Sequence, residues 1–150
     1  MSDSSRPWQP FFFPPEVPKP VGAYSPVVRA GDFLFVSGQV PRDPRTGEMP
    51  GSDFEAQARK VLSNVREALA TAGATLDDVV SVTVYLANID DWGKLNDIYK
   101  EVFRPPYPAR TALGAELRGI LVEVSAVAYK PDRGSTRKKP DRLAADQRGK

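Results

Sequence analysis

The 150-residue sequence contains no cysteine and no histidine. Without cysteine, the chain has no disulfide, no zinc–thiolate site and no thiolate nucleophile. Without histidine, it lacks the side chain that enzymes use most often as a general base and that proteins use most often as a metal ligand. Any chemistry must therefore rely on carboxylates, arginine, hydroxyl groups, backbone amides and bound water, and we expect no metal and no cofactor.

Long apolar runs are missing as well. No apolar segment approaches the roughly 20 residues that a membrane-spanning helix needs. The N-terminus also lacks the charged segment followed by an apolar segment that is typical of a secretory signal. We therefore expect a cytoplasmic protein without a membrane partner.

The formal charge of +2 is unevenly distributed. Residues 130–150 contain eight Lys or Arg against three Asp, whereas residues 1–129 contain 13 basic and 16 acidic side chains. Such a basic tail is typical of a disordered, solvated end, and contact with nucleic acid or an anionic surface is the alternative interpretation. The acidic remainder gives no electrostatic reason to expect nucleic acid as a partner.

The length is typical of a single domain. The first 20 residues hold six prolines and three consecutive phenylalanines, so residues 1–20 are predicted to form an extended arm, lying on its own domain or on a neighbouring subunit. Residues 21–130 are predicted to form the folded domain. Residues 131–150 have few apolar groups to pack and are predicted to be disordered.

Two helices are predicted from apolar residues that recur at helical spacing. The first stripe extends from Phe54 to Ala72 and follows a possible capping box of Ser52 and Glu55. The second extends from Trp92 to Phe103, with Asp90 or Asp91 as its cap. Strands are predicted around these helices, a buried one over 32–37 and others over 79–86, 111–114 and 120–129.

The order of these elements predicts an α+β fold. About five strands and two amphipathic helices make a two-layer sandwich, with both helices on one face of a mixed sheet. The other face of the sheet must then meet water or another subunit.

Three places are candidates for chemistry. Arg110 follows a Pro-Ala pair where a strand begins, and its planar guanidinium suits bidentate binding of a carboxylate. Glu123 lies in an otherwise apolar strand, where a charge needs a partner or a wet cavity. Ser37 and Gly38 end the first apolar strand, and glycine there lets a ligand approach the backbone. Each also has an ordinary interpretation: a solvated surface arginine, an exposed strand residue and a strand-ending turn.

In combination, several short segments resemble the Rid/YjgF family of reactive-intermediate deaminases, also called L-PSP endoribonucleases. The resemblance covers residues 21–129. The matching segments are Gly22-Ala23-Tyr24-Ser25, Phe35-Val36-Ser37-Gly38-Gln39-Val40-Pro41, Gly47-Glu48, Leu95-Asn96, Pro108-Ala109-Arg110 and Val122-Glu123-Val124.

The resemblance implies a chorismate-mutase-like fold and a homotrimer with clefts between its subunits. It also implies hydrolysis of small 2-imino or enamine acids to 2-keto acids and ammonia. In that reaction Arg110 would clamp the substrate carboxylate and Glu123 would hold the hydrolytic water. Tyr24, Ser37 and Asn96 match residues that line the same cleft.

Gly38 and Ala112 complete the predicted substrate site. Many family members have a cysteine where this chain has Ala112, two residues beyond the arginine. The loop between Arg110 and Glu123 is about two residues shorter than in archetypal members, and Ser125 replaces a frequent second acid.

Two alternative functions stay open: a trimer that binds small carboxylates without turning them over, and an endoribonuclease. The missing histidine weakens the endoribonuclease alternative.

Overall fold

Two helices cover one face of a six-stranded sheet in the computed structural model, which describes residues 5–133. Most of the tail predicted to be disordered, residues 134–150, lies outside this described part. The strands are β1 (Gln9–Phe11), β2 (Val27–Ala30), β3 (Phe33–Gln39), β4 (Val79–Leu86), β5 (Ala109–Gly114) and β6 (Val122–Tyr129); the helices are α1 (Phe54–Thr71) and α2 (Trp92–Val102).

The sheet is mixed, with strand order β1-β2-β3-β6-β4-β5. Strands β4 and β5 pair in parallel, and the other neighbours in this sheet are antiparallel. Helix α1 connects β3 to β4 and α2 connects β4 to β5, so both connections step in the same direction across the sheet. Because such crossovers are right-handed, both helices come to lie on the same face. The predicted two-layer α+β sandwich is confirmed.

Helix α1 begins one residue later than its predicted capping box implied. The N-cap is Asp53 rather than Ser52, since the Asp53 carboxylate accepts a hydrogen bond from the backbone N–H of Ala56 at 3.0 Å. Aspartate caps helices as well as serine does, so the sequence offered two adjacent caps. The apolar stripe of α1 is buried on the sheet, and truncating a fully buried member such as Leu62 to alanine would cost about 2–5 kcal/mol.

Helix α2 follows a single 3-10 turn, Ile89–Asp91. Asp91 occupies the N-cap position but makes no capping hydrogen bond with its side chain, which pairs with Lys94 at 3.5 Å. The buried side of α2 packs on α1, and its residues Leu95, Ile98 and Tyr99 belong to the same apolar core as the buried face of the sheet.

Strand β3 is buried on one face only. Leu34 and Val36 lie beneath the helices and are 0% and 4% exposed, whereas Phe33 and Phe35 are 43% and 47% exposed. The prediction of a buried strand here is wrong for alternate side chains, because successive residues of a strand point to opposite faces. We call the face away from the helices the open face.

The proline-rich arm lies on its own domain. Strand β1 adds to the sheet edge through antiparallel pairing with β2, which raises the number of strands to six. An edge strand tolerates Pro10, since that residue has no N–H to donate to the ladder. Val17 is buried and Phe13 packs against the core, so the arm covers apolar surface of the same chain.

Candidate active site in two parts

The position of Arg110 follows from the pairing of β5 with β4. Arg110 is the second residue of β5 and pairs with Val82, whose side chain is buried beneath the helices. Residues paired across a ladder share a face, so the Arg110 side chain also lies on the helix side. Arg110 is therefore half-buried on a strand, and it is neither a loop-edge residue nor a solvated surface charge.

One side of α2 holds the Arg110 guanidinium. Its Nη2 donates a hydrogen bond to Asn96 Oδ1 at 2.7 Å. Its Cζ lies 4.7 Å from the centre of the Tyr99 ring and 5.6 Å from that of the Trp92 ring. No carboxylate in residues 5–133 forms an ion pair with Arg110, so its charge has no anionic partner there.

A cleft of about 330 Å³ opens beside this guanidinium. Its lining contains two cationic side chains and no acidic one within the described residues, so an anion entering the cleft would be attracted. We call it the Arg110 cleft; it is lined by Asn96, Tyr99, Lys100, Tyr107, Pro108 and Arg110.

Tyr99 is the buried floor under Arg110. It is 4% exposed, its ring stacks on Phe103 at a centroid distance of 4.4 Å, and its hydroxyl has no hydrogen-bond partner in residues 5–133. Burial raises the pKa of Tyr99 to about 12, although the neighbouring charge of Arg110 opposes the rise. The phenol is neutral near pH 7, as an ordinary tyrosine is, and it presents its ring face to the guanidinium.

Glu123 lies on the open face of β6, beside a β-bulge in β3. Between Val36 and Gln39, β3 has two residues where β6 has one. A bulge of this kind redirects backbone and side chains locally. A Cβ added at Gly38 would collide with Glu123 Oε1, so the carboxylate lies directly against the Gly38 backbone. Within the described part of the chain, the Glu123 side chain makes no hydrogen bond or ion pair.

Two further predicted residues lie close to Gly38. Ser37 Oγ donates a hydrogen bond to the backbone oxygen of Ser25 at 2.6 Å, so its lone pairs are available to accept a proton donor. Tyr24 is 55% exposed and lines a cleft of about 150 Å³ together with Gly38. We call Tyr24, Ser37, Gly38 and Glu123 the Gly38 cluster.

The two predicted catalytic residues lie on opposite faces of the sheet. Arg110 shares the helix face with its partner Val82, whereas Glu123 pairs with Tyr85 on the open face. Strand β4 also separates their two strands. Within one chain, Arg110 and Glu123 are therefore not brought together.

The remaining predicted residues divide in the same way. Asn96 joins Arg110 through the hydrogen bond described above. Ala112 follows two residues later on the same strand and packs at the edge of the core, on the helix side. The structure thus forms two partial sites from the predicted set: one around Arg110 and one around Gly38.

The sequence prediction missed the roles of Trp92 and Tyr99, which it treated only as apolar helix residues. Their spacing carried the signal: Trp92, Asn96 and Tyr99 stand at positions i, i+4 and i+7, which lie on one side of a helix. Leu95 and Ile98 lie on the buried side of the same helix.

Residues 5–133 contain no group of three or more acidic side chains that could hold a metal ion. In the same part of the chain, neither helix is long and apolar enough to cross a membrane.

Comparison with known proteins gives consistent matches to one family. The sequence profile described as Endoribonuclease L-PSP matches residues 15–130. A RutC family protein of Pyrococcus horikoshii is 44% identical over 120 residues, which is 79% of this chain and 95% of that protein. A 2-iminobutanoate/2-iminopropanoate deaminase of Dermatophagoides farinae is 35% identical over 115 residues, covering 75% of this chain and 90% of the other.

Solved structures share the fold. A Rid family protein of unknown function from Yersinia pestis superposes with a TM-score of 0.75 at 33% identity, covering 81% of this chain and 98% of that one. The chorismate-mutase-like architecture expected from the resemblance is therefore confirmed.

Proposed function

Because the chain belongs to the Rid/YjgF family, also called the L-PSP endoribonuclease family, we propose that it hydrolyses small 2-imino or enamine acids to 2-keto acids and ammonia. The observation that carries this proposal is the Arg110 cleft, where a guanidinium lies beside open space with no carboxylate partner in the described residues. Relatives named 2-iminobutanoate/2-iminopropanoate deaminase support the reaction type.

Arg110 binds the substrate carboxylate in this proposal. The planar guanidinium offers parallel N–H donors to both carboxylate oxygens, and one of its nitrogens is already fixed by Asn96 at 2.7 Å. Each charge-assisted hydrogen bond contributes roughly 1.5–3 kcal/mol. Binding through the carboxylate fixes the C–N carbon of the substrate relative to the rest of the site.

Glu123 activates the water. A carboxylate with no hydrogen bond or ion pair among residues 5–133 is free to accept a proton from a water molecule. The water oxygen adds to the iminium carbon as one water proton passes to Glu123, which gives a carbinolamine. Glu123 then returns this proton to the nitrogen, and the C–N bond breaks as the hydroxyl group loses its proton to solvent and becomes the keto oxygen, so that ammonia leaves. The water supplies the keto oxygen. Ser37 Oγ accepts a hydrogen bond from the substrate nitrogen.

The complete site forms between two copies of the chain. Arg110 and Glu123 lie on opposite faces of one sheet, so a single copy cannot bring both side chains to one substrate molecule. The open face carries half-exposed apolar residues, among them Phe33, Phe35 and Tyr129, and a second copy would cover them. A homotrimer with three equivalent clefts meets both requirements.

An imine hydrolysis assay tests this function. An amino-acid oxidase generates the imine from several parent amino acids in turn, and the loss of imine is followed with and without the protein. Acceleration for at least one small imine is expected. Binding of 2-oxobutanoate without acceleration would favour the carboxylate-binding trimer, and RNA cleavage without either effect would favour the endoribonuclease.

Light scattering tests the shared site. It should give three times the mass of one chain, and a monomer would contradict a site shared between copies.

A further inference from the structure

We propose that Trp92 and Tyr99 are positioning residues that hold the Arg110 guanidinium in its carboxylate-binding orientation. The proposal rests on the proposed function for the role of Arg110 as the substrate anchor. It adds two aromatic side chains that contact this arginine, neither of which was among the predicted site residues. With Asn96 they form what we call the α2 cradle.

Three contacts orient the guanidinium in the cradle: two aromatic rings and one hydrogen bond. Tyr99 lies 4.7 Å from Cζ and Trp92 lies 5.6 Å from it, both within the roughly 6 Å over which a cation and an aromatic ring attract each other. Asn96 binds Nη2 at 2.7 Å. The remaining N–H donors of the fork have no hydrogen-bond partner among residues 5–133 and are available to a ligand.

Aromatic rings suit this task better than a carboxylate would. A carboxylate beside Arg110 would orient the guanidinium but would also neutralise its charge and compete with the substrate carboxylate for the same donors. The side chain of Tyr99 is neutral near pH 7, as an ordinary tyrosine is, and burial raises its pKa further, to about 12. The cradle therefore orients the cation and leaves its charge for the substrate.

The two rings differ in how they can be tested. Trp92 is 46% exposed, so its replacement by leucine should leave the fold intact. Tyr99 is 4% exposed and stacks on Phe103, so Tyr99→Leu risks the core. Tyr99→Phe keeps the ring and removes only a hydroxyl that has no partner in the described residues, so it serves as the conservative variant.

The experiment measures how fast the Arg110 guanidinium rotates, by nitrogen-15 NMR of the ligand-free protein. Slow rotation means that the cradle holds the guanidinium in one orientation. Arg110→Lys assigns the signal by removing it. We expect slowed guanidinium rotation in the parent and in Tyr99→Phe, and faster rotation in Trp92→Leu and Tyr99→Leu.

Binding of 2-oxobutanoate by calorimetry, with steady-state kinetics, gives the functional readout. We expect Trp92→Leu to weaken binding roughly 2- to 5-fold, the range expected for one cation–π contact at an exposed site. KM should rise while kcat changes little, because the lost interaction holds substrate and transition state alike. A loss of folded protein would instead lower the apparent kcat and the melting temperature.

Trp8 provides the matched control. Arg6 lies 5.0 Å from its ring, so Trp8→Leu removes a cation–π contact of the same kind at the arm, away from the Arg110 cleft. It should leave guanidinium rotation at Arg110 and keto-acid binding at parental values.

Unchanged rotation and binding in Trp92→Leu would overturn the proposal, as would faster rotation with unchanged binding. A parent protein that binds no keto acid, but whose Arg110 rotation depends on Trp92 and on the Tyr99 ring, would contradict the proposed function and support the cradle.

Discussion

The Arg110 cleft and the Gly38 cluster differ in how much of each is built by one chain. In the cleft, a helix and a strand hold a cation on three sides, with a hydrogen bond of 2.7 Å and two aromatic rings. In the cluster, a carboxylate rests on a glycine backbone with no hydrogen bond or ion pair in residues 5–133. In the proposed function, the cleft is a binding half that is oriented in advance, and the cluster is a reacting half that keeps its lone pairs for water.

Glu123→Gln tests the reacting half and should have the largest effect. The amide keeps the shape of the side chain but cannot take the proton from water. We expect the rate of imine hydrolysis to fall roughly 10²–10⁴-fold, while 2-oxobutanoate still binds. Full activity in this variant would return Glu123 to the role of an ordinary strand residue.

Arg110→Ala tests the binding half and should lower both the affinity for the substrate carboxylate and the rate of imine hydrolysis. Losing charge-assisted hydrogen bonds to the carboxylate should weaken 2-oxobutanoate binding by roughly 10- to 100-fold. Arg110→Lys should recover little, since an ammonium cannot reproduce the planar fork or its stacking on the rings. Calorimetry of the three proteins makes the comparison, and parental affinity in Arg110→Ala would contradict the assignment.

Gly38→Ala sharpens the comparison at the backbone under Glu123. The added Cβ would collide with Glu123 Oε1 and displace the carboxylate, so we expect a rate loss of about 10-fold or more, with keto-acid binding preserved. Gly93→Ala is the matched control, because a Cβ there meets nothing within 4 Å. Equal kinetics for the two alanine variants would mean that the close contact at Gly38 has no role in turnover.

Deleting residues 134–150 should have the smallest effect, since the sequence there holds few apolar side chains that could pack on the domain. The cut is placed after residue 133 so that Lys130 is kept. The Lys130 backbone accepts a hydrogen bond from the Arg29 side chain at 2.8 Å and donates one to the Asp32 backbone oxygen at 2.7 Å. We expect the melting temperature and the imine hydrolysis rate to stay near their parental values. A large loss of either would assign the tail a structural role.

The fold was predictable because its signals are local and repeated. The apolar stripe of α1 and the alternation in β4 and β6 each extend over eight or more residues. Strand β1 was not predictable from its own sequence: Gln9, Pro10 and Phe11 carry no strand pattern and become a strand only by pairing with β2.

Most members of the candidate site could be proposed from the sequence, Trp92 and Tyr99 excepted, but the grouping of these residues could not. Arg110, Glu123 and Gly38 could be identified from short motifs. That Arg110 and Glu123 face opposite sides depends on the register of β5 with β4 and of β4 with β6, which no local pattern specifies.

Mixing two inactive variants tests most directly whether the site is shared between copies. Arg110→Ala subunits keep Glu123, and Glu123→Gln subunits keep Arg110, so a mixed trimer contains some clefts with both native residues. Co-refolded in equal amounts, the two variants should regain about one quarter of the parental activity by random assortment, although each is nearly inactive alone. A mixture no more active than its separate components would mean that Arg110 and Glu123 do not act together across two chains.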